Sequence, residues 1–192
     1  NLATGKLPQT GSWFPRIELA GSLSSPVLQI RIRKAPAIHS TIRLIDYKGE
    51  DFRKWPRHKG PDLAKLITER KKIVEQGADE AILTTRHGFL LEGLTTSILW
   101  WEGSTLCATS PSRRVLPGIS SQLLRLIAEQ EHIPFASRFR KPADLNGCEV
   151  WAVNALHGIR RAINWEKSPF KTSSHIDIDD WRQKLDRFSK PV

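Results

Sequence analysis

Cysteine is scarce in this chain of 192 residues: only Cys107 and Cys148 occur. Two cysteines cannot staple a disulfide scaffold, and neither sits in a CxxC or Cys/His spacing that would hold a metal. Reduced thiols and no metal site are therefore expected. Long apolar runs are also missing: none approaches the ~20 residues needed to span a bilayer, so no membrane segment is expected. The first residues carry neither a signal-peptide apolar stretch nor an amphipathic Arg-rich transit pattern, which together with the thiols predicts a cytoplasmic protein. The chain starts at Asn1 rather than Met, which leaves room for an earlier native N-terminus. Internal repeats and low-complexity stretches are absent, which excludes solenoids and arrays.

What is present is an ordinary apolar fraction, 39%, on a chain long enough to bury a real core. The net charge of +10 favours anionic partners: nucleic acid, an anionic surface, or small acids and phosphates drawn into a cleft. Charge alone does not choose among them. A non-catalytic nucleic-acid-binding protein is the reading of a different class. Against it, the positive residues are scattered rather than gathered in a motif, and the aromatics sit in apolar strands instead of an exposed stacking platform.

Periodicity divides the chain. Residues 1–25 are rich in Gly, Pro, Ser and Thr, with one short strand at 16–19. In 27–33, Leu28, Ile30 and Ile32 alternate with Gln29, Arg31 and Arg33, which is strand periodicity. Residues 41–46 predict another strand, and 47–60, polar and broken by Pro56, a connector. From Asp62 the period becomes helical: Leu63, Leu66, Ile67, Ile73 and Val74 share a face, Asp62 is placed to cap the start, and Gly77 stops the run. Short strands follow at 81–85, 89–91, 97–101 and 105–109, with turns at His87-Gly88 and Glu102-Gly103, predicting a small antiparallel sheet. A second helix is expected at 119–130, strands at 133–139 and 149–154, and a terminal helix at 180–188.

Four separated pieces carry chemistry together: Arg57-His58-Lys59-Gly60-Pro61-Asp62-Leu63, Leu91-Glu92-Gly93-Leu94-Thr95-Thr96-Ser97, Leu116-Pro117-Gly118-Ile119-Ser120, and Val153-Asn154-Ala155-Leu156-His157-Gly158. In this order, with Gly77-Ala78-Asp79-Glu80-Ala81-Ile82-Leu83 ahead of the second, they resemble the class IV pyridoxal-phosphate aminotransferases. That family includes branched-chain and D-amino-acid aminotransferases and aminodeoxychorismate lyase. The resemblance covers about 55–159, and Trp13 to Leu19 looks like the tail of the family's smaller N-terminal domain.

The resemblance implies an α/β protein of fold type IV. Residues 1–54 would be a remnant of the N-terminal α/β domain with its connector, and 55–192 the larger cofactor-binding domain of mixed strands and helices. It implies pyridoxal 5'-phosphate as cofactor, amino-acid and 2-oxo-acid substrates, and a homodimer. Lys59 would be the catalytic residue, because a lysine amine must form a Schiff base with the cofactor aldehyde. Glu92 would hold the proton on the pyridine nitrogen. The cofactor phosphate would lie at the start of the second helix, against Ile119 and Ser120, with Thr95 and Thr96 as hydroxyl donors. Asn154 and Ala155 would complete the cofactor site.

Two positions depart from the family pattern. Ser120-Ser121 stands where members often have Thr-Arg, and Ala155 where many aminotransferases place a phosphate-binding threonine. The Asn154-Ala155-Leu156 version looks more like the lyase branch, which releases pyruvate and 4-aminobenzoate from 4-amino-4-deoxychorismate. Most of the N-terminal domain that supplies a phosphate-binding arginine lies outside the sequence. His157 reads as a structural residue, Arg138, Arg140, Arg160 and Arg161 as solvated charges, and Trp100, Trp101 and Trp151 as core.

Overall fold

The change from a two-residue to a helical period near residue 62 is where the backbone turns from strand to helix. In a computed structural model the chain is described at residues 8, 10–22, 24–111, 114–166, 168–169 and 176–189. By contacts the described residues form two compact units, one within 1–38 and one within 39–189.

The described part of the first unit is a hairpin. β1 (Arg16–Ser22) pairs antiparallel with β2 (Ser25–Arg31), setting Ile17 opposite Ile30 and Leu19 opposite Leu28. Period-two alternation puts these four on one face. On the other, Glu18 pairs with Arg16 and Arg31.

The second unit is built on one large sheet. Its strands are β3 (Thr41–Asp46), β4 (Glu80–Thr84), β5 (Leu90–Gly93), β6 (Ser97–Glu102), β7 (Thr105–Thr109), β8 (Phe135–Arg138), β9 (Val150–Asn154), β10 (Gly158–Trp165) and β11 (Ser168–Pro169). Among the described residues the order is β5-β4-β3-β10-β9-β6-β7-β8, with β11 paired to β10. The sheet is mixed, not small and antiparallel as expected: β3 runs parallel to both β4 and β10, and β7 parallel to β8. The sequence boundary at residue 54 and the contact boundary at 38 differ because β3 joins this sheet.

Alternation along β6 shows how the sheet divides its side chains. Leu99 and Trp101 enter one core, with Leu106, Trp151 and Val153; Ile98 and Trp100 enter the opposite one, with Ile42, Leu44, Val150 and Ala152. Helices α2 (Ile119–Gln130) and α3 (Ile178–Asp186) cover the first face through Leu124, Ile127, Trp181 and Leu185. Trp101, Trp151 and Trp181 meet edge to face at centroid distances of 5.4–5.6 Å, a geometry that the ring quadrupoles favour. The tryptophans expected in the core are in it.

Helix α1 (Leu63–Glu75) lies on β4, its Ile73 packing with Ala81, Leu83 and Leu91. It ends where Gly77 takes φ +87°, a left-handed conformation that costs glycine little. Asp62 does not cap α1 through its side chain. Its carboxylate instead accepts the N–H groups of Lys54 and Trp55, 3.1 and 2.7 Å away, and so folds the preceding loop back on itself.

The sequence reading missed β10. Arg160-Arg161 interrupts its apolar alternation, and its register on β3 shifts between Ala162 and Asn164. Of the four arginines expected to be solvated, Arg138 is exposed as expected and Arg160 is corrected. Arg160 is buried, Arg161 binds Glu149 at 2.7 Å, and Arg140 binds Glu102 at 2.9 Å. Both cysteines are free.

Candidate active site

Connections between strand ends and helix starts, rather than the strands themselves, form the walls of one cavity of about 390 Å³. The loop after β3 brings Lys59, the end of β5 brings Glu92, and the turn after it brings Thr95 and Thr96. The start of α2 brings Ile119 and Ser120, and the β9–β10 turn brings Asn154 and Ala155. Every residue singled out as a candidate thus lines the same space, although the first and last are separated by most of the unit.

Lys59 is exposed at this cavity, in the loop that Asp62 folds back. Gly60 beside it has φ +128°, backbone that a side-chain-bearing residue adopts only with strain. An accessible lysine on a short, anchored loop can present its amine to a bound carbonyl.

Glu92 is buried, not an exposed turn glutamate, with 5% of its surface accessible. Its Oε1 accepts from the Arg53 guanidinium and from Leu116 N–H at 2.9 Å. Oε2 has no hydrogen-bond partner among the described residues. Burial pushes the carboxyl up to about 7, against the pull of Arg53 and the Leu116 N–H toward the charged form. One oxygen is therefore tied down, and the other is available to a group entering the cavity.

Behind that wall lies a second buried carboxylate. Glu80 Oε2 accepts the Thr95 N–H at 3.1 Å, the Thr95 hydroxyl at 2.6 Å and the Thr96 hydroxyl at 3.4 Å. Burial raises its pKa and the Thr95 bonds oppose the rise. Both hydroxyls, expected as donors to an anion, are within hydrogen-bond reach of Glu80 here, Thr95 more closely than Thr96. The turn also needs Gly93, where a Cβ would stand 2.3 Å from Thr96 Oγ1.

The donors that remain are backbone. Gly118 precedes α2 without a side-chain cap, so the first-turn N–H groups at Ile119, Ser120 and Ser121 have no partner within the helix. They face an anion favourably, reinforced by the helix dipole. Asn154 shapes the opposite rim: its Oδ1 accepts from Leu156 N–H at 3.1 Å and His157 N–H at 2.9 Å, making a local turn that holds Ala155 at the cavity. His157 Nδ1 accepts from His39 N–H at 3.2 Å. Burial, then the nearby positive groups, lowers its pKa to about 4, so it is neutral at ordinary pH.

Arg53, Asp51 and Glu80 escaped the sequence reading. Arg53 and Asp51 fall just ahead of the stretch that resembles a known family, and Glu80 lies inside a quoted motif without being singled out. An Asp-x-Arg pair in a polar loop gives no periodic signal of burial. Among the described residues no group of three or more His, Cys, Asp or Glu side chains could hold a metal ion, and no helix is long and apolar enough to cross a membrane.

Comparison with solved structures places the fold. A putative 4-amino-4-deoxychorismate lyase from Legionella pneumophila is 18% identical with a TM-score of 0.74, over 86% of this chain and 64% of that one. A fold IV-transaminase from Curtobacterium pusillum is 16% identical with a TM-score of 0.77, over 93% and 65%. A PLP-bound hypothetical aminotransferase from Mycobacterium tuberculosis is 19% identical with a TM-score of 0.72, over 84% and 61%. At these identities the likeness is one of fold, and the chain spans 61–65% of the length of these three structures. No curated protein matches the chain. Residues 20–165, most of the chain and all of the cavity, match the amino-transferase class IV family, and the protein belongs to that family.

Proposed function

We propose that the chain forms the cofactor-binding part of a pyridoxal-phosphate-dependent class IV aminotransferase, which moves an amino group between an amino acid and a 2-oxo acid. One observation carries the reading. A single cavity holds an accessible lysine amine, a buried carboxylate with one unpaired oxygen, and the uncapped start of a helix. These match the three ends of pyridoxal phosphate: aldehyde, pyridine nitrogen and phosphate. The residues present therefore fit the group. Within this reading 55–192 make up most of the cofactor domain, β3 ahead of them joins the same sheet, the remnant of the smaller domain lies within 1–54, and the active form is a cytoplasmic homodimer.

Bound here, pyridoxal phosphate would act as the electron sink for the bond that breaks at the substrate α-carbon. Lys59 would hold the cofactor aldehyde and would carry the substrate α-proton on Nζ. Glu92 would stand at the ring nitrogen and favour its protonated form. The N–H groups of Ile119, Ser120 and Ser121 hold the phosphate, and Asn154 fixes the rim on which Ala155 faces it. Glu80 holds Thr95 and Thr96 in the turn that follows Glu92.

Ala155, in place of a hydroxyl residue, favours a second reading: release of pyruvate from 4-amino-4-deoxychorismate with Lys59 as the proton carrier. The test offers the whole protein a panel of L- and D-amino acids with 2-oxoglutarate or pyruvate, and separately aminodeoxychorismate alone. Amino transfer is the expected result. Formation of 4-aminobenzoate and pyruvate without an amino acceptor would replace it with the second reading, and activity in neither assay would refute both.

A further inference from the structure

We infer that Arg53, held by Asp51 and Arg114, is the positioning residue of this site: it joins the Lys59 loop, Glu92 and the segment leading into α2, and among the described residues it is the one cation in contact with Glu92. The inference rests on the functional reading above for the meaning of Glu92, but not for the geometry.

Arg53 is 5% exposed, and its guanidinium is shared among three elements. Nε and Nη2 bind the two oxygens of Asp51 at 2.8 and 3.1 Å, Nη1 binds Glu92 Oε1, and Nη2 also binds the Arg114 carbonyl at 2.7 Å. Arg114 answers from its own side chain, with Nε on Asp51 Oδ2 at 3.1 Å and Nη2 on the Arg53 carbonyl. A planar fork with five donors suits this arrangement, whereas an ammonium cannot reach all three partners at once. Two residues beyond Arg114, Leu116 N–H meets the same Glu92 oxygen. The clamp thus fixes three walls of the cavity to one another through Glu92 Oε1 and leaves Oε2 outside its bonds.

Removing the guanidinium would leave Glu92 buried beside Asp51 with no cation in contact. Burial and the Asp51 charge both oppose its ionised form, and the Leu116 N–H alone would support it. The other charged groups at the cavity are Arg57, His58, Lys59 and Asp62 on the loop, and Arg125 lies with Glu92 on a neighbouring cavity of about 360 Å³. None of these makes a hydrogen bond or ion pair to Glu92.

The experiment compares the wild-type chain with Arg53→Lys, Arg53→Gln and Asp51→Asn, after circular dichroism and melting show which remain folded. In the ligand-free chain, carboxyl carbon-13 resonances follow the Glu92 titration. In the presence of pyridoxal phosphate, equilibrium dialysis gives its dissociation constant, and the visible band of the bound cofactor is followed against pH. Arg53→Gln should raise the Glu92 midpoint, weaken cofactor binding at least tenfold and shift the pH at which the visible band changes. Arg53→Lys should fall between it and wild type, whereas Asp51→Asn, which removes a charge that opposes Glu92 ionisation, should lower the midpoint. An unchanged Glu92 midpoint in a folded Arg53→Gln chain overturns the inference, whatever the cofactor does. A raised midpoint in a chain that takes up no pyridoxal phosphate supports the clamp and refutes the functional reading instead. If Arg53→Gln fails to fold, Arg53→Lys decides, and an unchanged Glu92 midpoint in it overturns the inference.

Discussion

Beneath α2 and α3 the large sheet presents Leu99, Trp101, Trp151 and Val153, a wall with almost no charge. At and just behind the cavity, stretches far apart along the same unit bury Arg53, Glu80 and Glu92. The first region is held by apolar area and indole geometry, which improve as water leaves. The second is held by ionic hydrogen bonds that survive burial only because each charge has partners, and it leaves one carboxylate oxygen unpaired. Stability is concentrated where chemistry is absent, and the groups placed for chemistry are those a core would ordinarily exclude. Substitutions in the two regions should therefore separate cleanly.

The largest effect is expected from Lys59→Ala. Turnover should drop by a factor of about a thousand or more, about 4 kcal/mol in the barrier, with no change in melting temperature because the side chain is exposed. A comparable loss of melting temperature in Lys59→Ala would blur the contrast between the regions.

Trp151→Ala is the converse. It empties the centre of the indole cluster, and denaturant unfolding should show about 3–5 kcal/mol of lost stability. Whatever fraction remains folded should bind pyridoxal phosphate with wild-type affinity.

Glu92→Gln keeps the shape but removes the charge. Turnover should fall about tenfold to a thousandfold while cofactor binding survives. Unchanged turnover would make Glu92 a structural partner of Arg53 and no more.

The smallest effect concerns pH. Burial raises the Glu92 carboxyl in the folded chain to about 7 from an ordinary value of 4.5, so between those values the folded state holds a proton that the unfolded state has released. The resulting stability is fully present below about pH 4.5 and is lost as pH rises through 7. Melting temperatures should show wild type losing ground to Glu92→Gln across that window. A constant difference would mean that Glu92 titrates alike in both states.

Much of this was legible before any fold was known, for reasons specific to each residue. Leu63, Leu66 and Ile73 recur at helical spacing, and α1 follows from them; strand 41–46 and the helix at 119–130 came out with the boundaries observed. Lys59 and Glu92 are singled out by short motifs that keep their order along the chain, and both line one cavity. β10 was hidden because Arg160 and Arg161 break its apolar rhythm: burial of one arginine is set by what packs over it, not by its neighbours in sequence. The engagement of Thr95 and Thr96 by Glu80 was hidden because a hydroxyl's partner fifteen residues away leaves no local trace. Arg53 was missed for the same reason, since its partner Glu92 lies thirty-nine residues on.

The measurement closest to the central claim is chemical. Whole protein loaded with pyridoxal phosphate is reduced with borohydride, digested and mapped by mass spectrometry. The cofactor should appear on the peptide containing Lys59 and on no other. Its appearance instead on a peptide carrying Lys54 or Lys65, or no stable adduct in a folded protein, would contradict the account.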